Sequence, residues 1–259
     1  MLSALLFIQA IKSVFVRHNS NALHLPFLKK IKNMTAPFIL LSLVFLVIGL
    51  IVGGLLKRRM AEYSQIPVES GLSGKEIAQK MLRDSGITDV EITCVEGHLT
   101  DHYNPQNKTV NLSTDVYNGR SVAAAAIAAH ECGHAVQHAH AYMWLGLRSA
   151  LVPVVSFSSQ WVQWVLFAGV MMINAFPWLL VAGVILFALT TIFSIITLPV
   201  EFDASRRALI WLDTTNIMSR EAHDKARNGL KWAASTYVIA ALASIATLLY
   251  YLSFLNRRN

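Results

Sequence analysis

Residues 130–134 read His-Glu-Cys-Gly-His. On a helix the two histidines stand four positions apart on one face, so both imidazoles can reach one ion. Glu131 stands beside them, near enough to address a water on that ion. Zinc in a catalytic site takes three protein ligands and keeps one position for water. The ion acidifies that water, and a carboxylate can take its proton as the oxygen attacks a carbonyl. The pattern therefore expects His130 and His134 as metal ligands and Glu131 as general base. An alanine-rich helix carrying two ordinary histidines would read the same way, so a third ligand has to decide.

Two positions compete for that role. His140 lies ten residues after His130, the place of the third histidine in H-E-x-x-H-x-x-G-x-x-H. That pattern needs a glycine three residues after the second histidine so that the chain can turn back to the metal. Gln137 stands there instead and suits a continuing helix. On a continuing helix His140 lies roughly 15 Å along the axis from His130, and His138 roughly 12 Å, both out of reach. Glu201 is the other candidate. It is the first charge after a long apolar block, where a carboxylate is expensive without a partner. Zinc would be such a partner; so would water or Arg206.

The elements that must hold these residues can be read in outline. Ser121 is a candidate N-cap, and the alanine-rich run to Ala129 favours a helix carrying the motif. Ser73-Gly74-Lys75-Glu76 opens an earlier helix with Ile77, Met81 and Leu82 on one face, closed by Asp84-Ser85-Gly86. Val90–Val95 and Thr109–Leu112 read as short strands around the turn Asn104-Pro105-Gln106-Asn107. An edge strand beside the motif helix could hold a peptide by strand addition.

The chain has 259 residues, of which 54% are hydrophobic and 14% charged. Soluble domains carry about 25% charge. The apolar residues fall in blocks: 24 uncharged residues between Lys32 and Lys57, 52 between Arg148 and Glu201, and 25 between Lys231 and Arg257. A spanning helix needs about 20 apolar residues. One, two and one spans are expected, at about 36–56, 154–173, 178–197 and 233–255, with a break at Asn174-Ala175-Phe176-Pro177. The organisation that follows is an N-terminal extension or misassigned start over 1–33, with Met34 as the other candidate beginning, and a first transmembrane helix over 34–59. A small water-exposed domain with the H-E-x-x-H helix covers 60–147, a transmembrane hairpin 148–200 and a polar loop with Glu201 201–232. The last transmembrane helix and tail occupy 233–259.

Two cysteines, Cys94 and Cys132, make neither a disulfide framework nor a C-x-x-C pair. Cys132 points away from the histidine face and is expected to pack. The net charge of +7 comes with juxtamembrane lysines and arginines and no nucleic-acid motif. The expected partners are therefore the lipid bilayer and a polypeptide, with no nucleic acid. The turn between the second and third spans lacks Lys and Arg, whereas Lys57, Arg58, Arg59, Arg148, Arg206 and Arg207 flank the motif segments. By the positive-inside rule the motif side is cytoplasmic.

Leu198-Pro199-Val200-Glu201-Phe202-Asp203-Ala204-Ser205-Arg206-Arg207-Ala208 resembles the downstream motif of the YugP-like neutral zinc metallopeptidases of bacterial membranes. Ser64-Gln65-Ile66-Pro67, Gly71-Leu72-Ser73-Gly74, the stretch from Gly97 to Pro105 and Ala128-Ala129-His130-Glu131 extend the likeness, which runs from about Tyr63 to the C-terminus. It implies one catalytic zinc held by His130, His134 and Glu201, with Glu131 as base. More remotely, Glu201-Phe202-Asp203-Ala204 resembles the E-F-x-A-D motif of HtpX-type and CAAX-type membrane proteases. Ser205 replaces their Asp, so Asp203 or Ser205 is expected to support the histidines. The fold class implied is an α-helical integral membrane protein of about four transmembrane helices with a small α+β zincin-like catalytic domain, in a bacterial plasma membrane. The function implied is a zinc endopeptidase acting on membrane or membrane-proximal proteins. A metal-binding scaffold or quality-control adaptor without turnover is the alternative, and a transporter is weaker because the span interiors hold no ionisable residue. His98, Asp101, His102, Tyr103, Arg206 and Arg207 are candidate donors to an oxyanion.

Overall fold

The computed structural model describes residues 25–256. Four of its helices are long and apolar enough to cross a membrane: α1 (Leu25–Tyr63), α5 (Met143–Met171), α6 (Pro177–Thr214) and α7 (Arg220–Asn256). Between α1 and α5 lie α2 (Gly74–Asp84), β1 (Glu91–Val95), β2 (His102–Asn104), β3 (Thr109–Ser113), α3 (Thr114–Asn118) and α4 (Val122–Ala139). The expectation for residues 1–33 falls mostly outside the described residues; 25–33 form the first turns of α1.

Local chemistry sets the helix starts. Ser73 caps α2: its hydroxyl accepts from the Glu76 N–H at 3.3 Å, and the Glu76 carboxylate accepts from the Ser73 N–H at 2.7 Å. Ser121 caps α4 by accepting from the Ala124 N–H at 3.2 Å. Pro177 begins α6, where a missing N–H costs nothing.

The sheet has three strands in the order β1-β3-β2. β3 is central, parallel to β1 and antiparallel to β2. β2 precedes the expected turn, sharing only Asn104 with it, in a stretch where the sequence carries no strand signal. It forms because Tyr103 pairs opposite Val110 and because Asp101, just before it, accepts from the Ser113 N–H at 2.7 Å.

One core joins the small domain to the long apolar helices. Ile77 and Met81 of α2, Val110 and Leu112 of β3, the alanines of α4 and Ala208 and Leu212 of α6 are buried together. Cys132 belongs to this core, with Sγ 3.7 Å from the Ala78 carbonyl. Burial pushes its thiol above the ordinary cysteine range, so it is a packing residue, as expected. A second cluster, including Leu166, Leu180 and Tyr251, lies between α5, α6 and α7.

The segment expected to be a polar loop, 201–232, is helical over most of its length. α6 runs on to Thr214 and α7 begins at Arg220. The boundaries drawn at 59, 147, 200 and 232 therefore fall in or beside continuous helices. Charge composition marks where a helix leaves an apolar environment, and the helix does not stop there. The emerging turns of α6 still bury Ala204, Ala208 and Leu212.

α4 and α6 cross in close contact at Gly133, inside the motif. A Cβ there would lie 2.5 Å from the Ala204 carbonyl oxygen and 3.1 Å from the Ala204 Cα. Those atoms are backbone and cannot turn aside. Gly133→Ala should therefore lower the thermal midpoint and loosen the site, although alanine favours a helix by about 1 kcal/mol. Overpacking costs of about 1–3 kcal/mol outweigh that gain. A raised melting temperature with unchanged metal retention would refute the close crossing.

Candidate metal centre

The crossing at Gly133 brings α4 and α6 together where the candidate ligands lie. His130 and His134 project from α4 with ring centroids 4.8 Å apart and nearly perpendicular. Glu201, one helical turn before Ala204, enters from α6. Its Oε2 lies 3.4 Å from His130 Nε2 and 3.8 Å from His134 Nε2. One donor atom from each residue falls within 4.8 Å of the others. The set is chemically suited to a cation: two imidazole nitrogens and a carboxylate oxygen, the donors that zinc accepts.

Both imidazoles are oriented from behind. Gln137 Nε2 donates to the Val200 carbonyl at 2.8 Å and to Asp203 Oδ2 at 2.9 Å. Its amide oxygen must then face His134, whose Nδ1 lies 3.1 Å away and must be the donor. That leaves the His134 Nε2 lone pair toward Glu201. Ser205 Oγ lies 3.1 Å from His130 Nδ1 and can fix that ring in the same sense. Both expected supporting residues are thus used, Ser205 directly and Asp203 through Gln137. Arg207 holds Asp203 in turn at 2.6 Å.

Burial shapes the protonation states. Loss of solvation, aided by His130, holds the His134 imidazole down to about 4, so it is neutral at pH 7. Burial also pulls His130 down, but the Glu201 hydrogen bond and the carboxylates of Glu131 and Glu201 outweigh it and raise the group. Glu131 is buried, and desolvation pushes its carboxyl up to about 7 against the opposing pull of His130. In metal-free protein these shifts predict a pH signature. Glu131 binds its proton more tightly folded than unfolded, so its contribution favours the fold below pH 4.5 and is lost as the pH rises through 7. His134 is the reverse, favouring the fold above 6.5 and losing that as the pH falls through 4. Glu131→Gln should therefore leave stability nearly unchanged at pH 4.5 and raise it by up to about 3 kcal/mol at pH 8. Urea midpoints in chelator check this; equal gains at both pH values would refute the buried carboxyl.

The centre opens into a cleft of about 270 Å³ lined also by His102, Tyr103, Arg148 and Tyr237. Arg148 went unnoticed as a site residue in the sequence. Its Nη1 lies 3.1 Å from Glu201 Oε1, so the charges that bound the 52-residue apolar block pair with each other. That bracketing was the available signal. Tyr237, Gln137 and Gly133 carried none. Of the six candidate oxyanion donors, His102 and Tyr103 reach the cleft, whereas Arg206 and Arg207 pair with Asp203. Asp101 lines the cleft too but is spent on Ser113, and His98 faces Asp115. His138 and His140 lie apart from the cluster. The helix continues through Gln137 to Ala139, His138 Nδ1 is 2.7 Å from the Tyr103 hydroxyl, and His140 caps the helix end.

No solved structure gives a significant match. The chain is 41% identical over 204 residues to a protein of Bacillus subtilis named "Putative membrane protease YugP", covering 78% of this chain and 90% of that one. Residues 38–256 match the model of the family described as "Putative neutral zinc metallopeptidase". That match takes in both helices of the centre and all four long apolar helices, and the chain belongs to this neutral zinc metallopeptidase family.

Proposed function

We propose that the protein is a membrane-embedded zinc-dependent endopeptidase with a zincin-like site, cutting membrane or membrane-proximal polypeptides. The convergence of His130, His134 and Glu201 beside a buried Glu131 carries this reading. His130, His134 and Glu201 would hold one zinc ion, which when bound supplies an acidified water and a polarised scissile carbonyl.

The chain's own residues do the rest. Gln137 and Ser205 keep both Nε2 lone pairs aimed at the centre. Arg148 holds the second oxygen of Glu201. Glu131, buried beside the two histidines, would accept the proton of the attacking water and return it to the leaving amine. β2 is an edge strand whose His102 and Tyr103 line the cleft, so an extended substrate can add to it by backbone pairing. By the bias of lysines and arginines the site faces the cytoplasm.

A cleft of this kind beside a buried base favours turnover over a metal-binding scaffold, which needs no base. The test uses full-length protein in detergent with an unstructured, membrane-anchored polypeptide. Cleavage should stop on removal of metal by a chelator and return with about one zinc per chain. Undiminished cleavage by verified metal-free protein would sink the reading.

A further inference from the structure

A groove of about 610 Å³ lies between α6 and α7; none of His130, Glu131, His134 and Glu201 lines it, though Ser205, which supports His130, does. Three of its lining residues are cations: Arg206, Arg227 and Lys231. Asp213 is the acidic residue that lines it. Asp203 and Asp224 touch the two arginines through single long contacts of 3.4 and 3.5 Å. The arginine side chains remain 71% and 61% exposed, so both guanidinium groups are open to another anion. Lys231 has no acidic partner within ion-pair distance among the described residues. His223 is buried in the groove wall, its Nε2 2.9 Å from the Leu209 carbonyl, and is not available to a ligand.

Position in the chain tells what the groove would meet. Phe202 comes directly after Glu201, where the 52-residue uncharged block ends, and Lys231 immediately precedes the 25-residue uncharged block of α7. The cations therefore sit where both helices pass from apolar to charged sequence, the level of lipid headgroups in a bilayer. On the apolar side the lining continues as Phe202, Ala234 and Val238. A free phosphate would use only the cations. A molecule with an anionic phosphate and an acyl chain uses both parts.

We propose that this groove binds one anionic phospholipid, its phosphate among Arg206, Arg227 and Lys231 and an acyl chain along Phe202, Ala234 and Val238. The proposal rests on the membrane-spanning reading and not on the metal or on proteolysis. A zwitterionic lipid is disfavoured because its ammonium group would enter a cationic pocket. α6 also carries Glu201, so the lipid would brace the helix that completes the metal centre.

The experiment is native mass spectrometry of the full chain from nanodiscs of equal phosphatidylcholine and phosphatidylglycerol. The wild type should retain about one phosphatidylglycerol. The double variant Arg227→Gln, Lys231→Gln should retain it about thirtyfold less, since each basic residue near a lipid surface contributes roughly fivefold. Arg227→Lys should restore most of the retention in the Lys231 background. Zinc content and melting temperature, measured alongside, should not change in the double variant. Equal retention by wild type and double variant overturns the proposal. So does equal retention of both lipids, or loss of bound phosphatidylglycerol to millimolar inorganic phosphate. A protein that holds the lipid but not zinc would refute the peptidase reading and leave this one standing.

Discussion

Glu131→Gln should keep about one zinc per chain and lose peptide hydrolysis by about a thousandfold or more. The substitution keeps the shape of the side chain and removes its basicity. Glu131 lies in the buried floor of the cleft, outside the three-residue donor cluster, so metal content should not respond. The loss should appear in kcat, with KM little changed, because a proton acceptor acts in the transition state and not in substrate binding. Wild-type activity should fall on the acid side as Glu131 becomes protonated, with a midpoint shifted by whatever cation occupies the centre. That limb should vanish from the residual activity of the variant. Hydrolysis by Glu131→Gln at the wild-type rate would remove Glu131 from the reaction.

Glu201→Ala should reduce bound zinc from about one per chain to less than a tenth of that after dialysis. Two histidines alone make a weak site, and the other carboxylates of the cleft are placed otherwise: Asp101 accepts from the Ser113 N–H at 2.7 Å, and Glu131 lies outside the donor cluster. Asp203 is held by Gln137 at 2.9 Å and by Arg207 at 2.6 Å. The loss also leaves Arg148 without its partner at 3.1 Å, in a site already lined by imidazoles. Some destabilisation is therefore expected, and Glu201→Gln serves as the milder variant. It keeps the volume and a carbonyl oxygen, and should bind zinc more weakly than wild type but better than alanine. Elemental analysis beside circular dichroism separates metal loss from unfolding. Zinc retained at one per chain in folded Glu201→Ala would return the search to other donors, His102 first, since it lines the same cleft.

Much of the site was legible before any coordinates. His130 and His134 share a face because four residues make about one helical turn, and that holds wherever the helix lies. Gln137 in place of glycine ruled out a turn back to His140, and the helix does run on to Ala139. Uncharged blocks of sufficient length located four helices long and apolar enough to span a membrane, since burying an unpaired charge in lipid is costly whatever the fold. Glu201 stood out for the same reason. Periodicity and composition, however, do not carry distances between segments far apart in sequence. They could not reveal that Arg148 meets Glu201 across 53 positions, or that Gln137 ties His134 to α6. Nor could they show why Gly133 interrupts the motif, which depends on the Ala204 backbone pressing against it. The short strand β2 was also hidden, because three residues have no readable alternation and exist as a strand only through pairing with β3. Charge composition misread 201–232 as a loop, since the emerging turns of α6 are polar outward and buried inward. The sequence determined which side chains could bind a cation and which segments suit a bilayer. Only packing of α4 against α6 decided that the donors converge, because helix contact distance is set by the small residues at the crossing and not by any local preference of either chain segment.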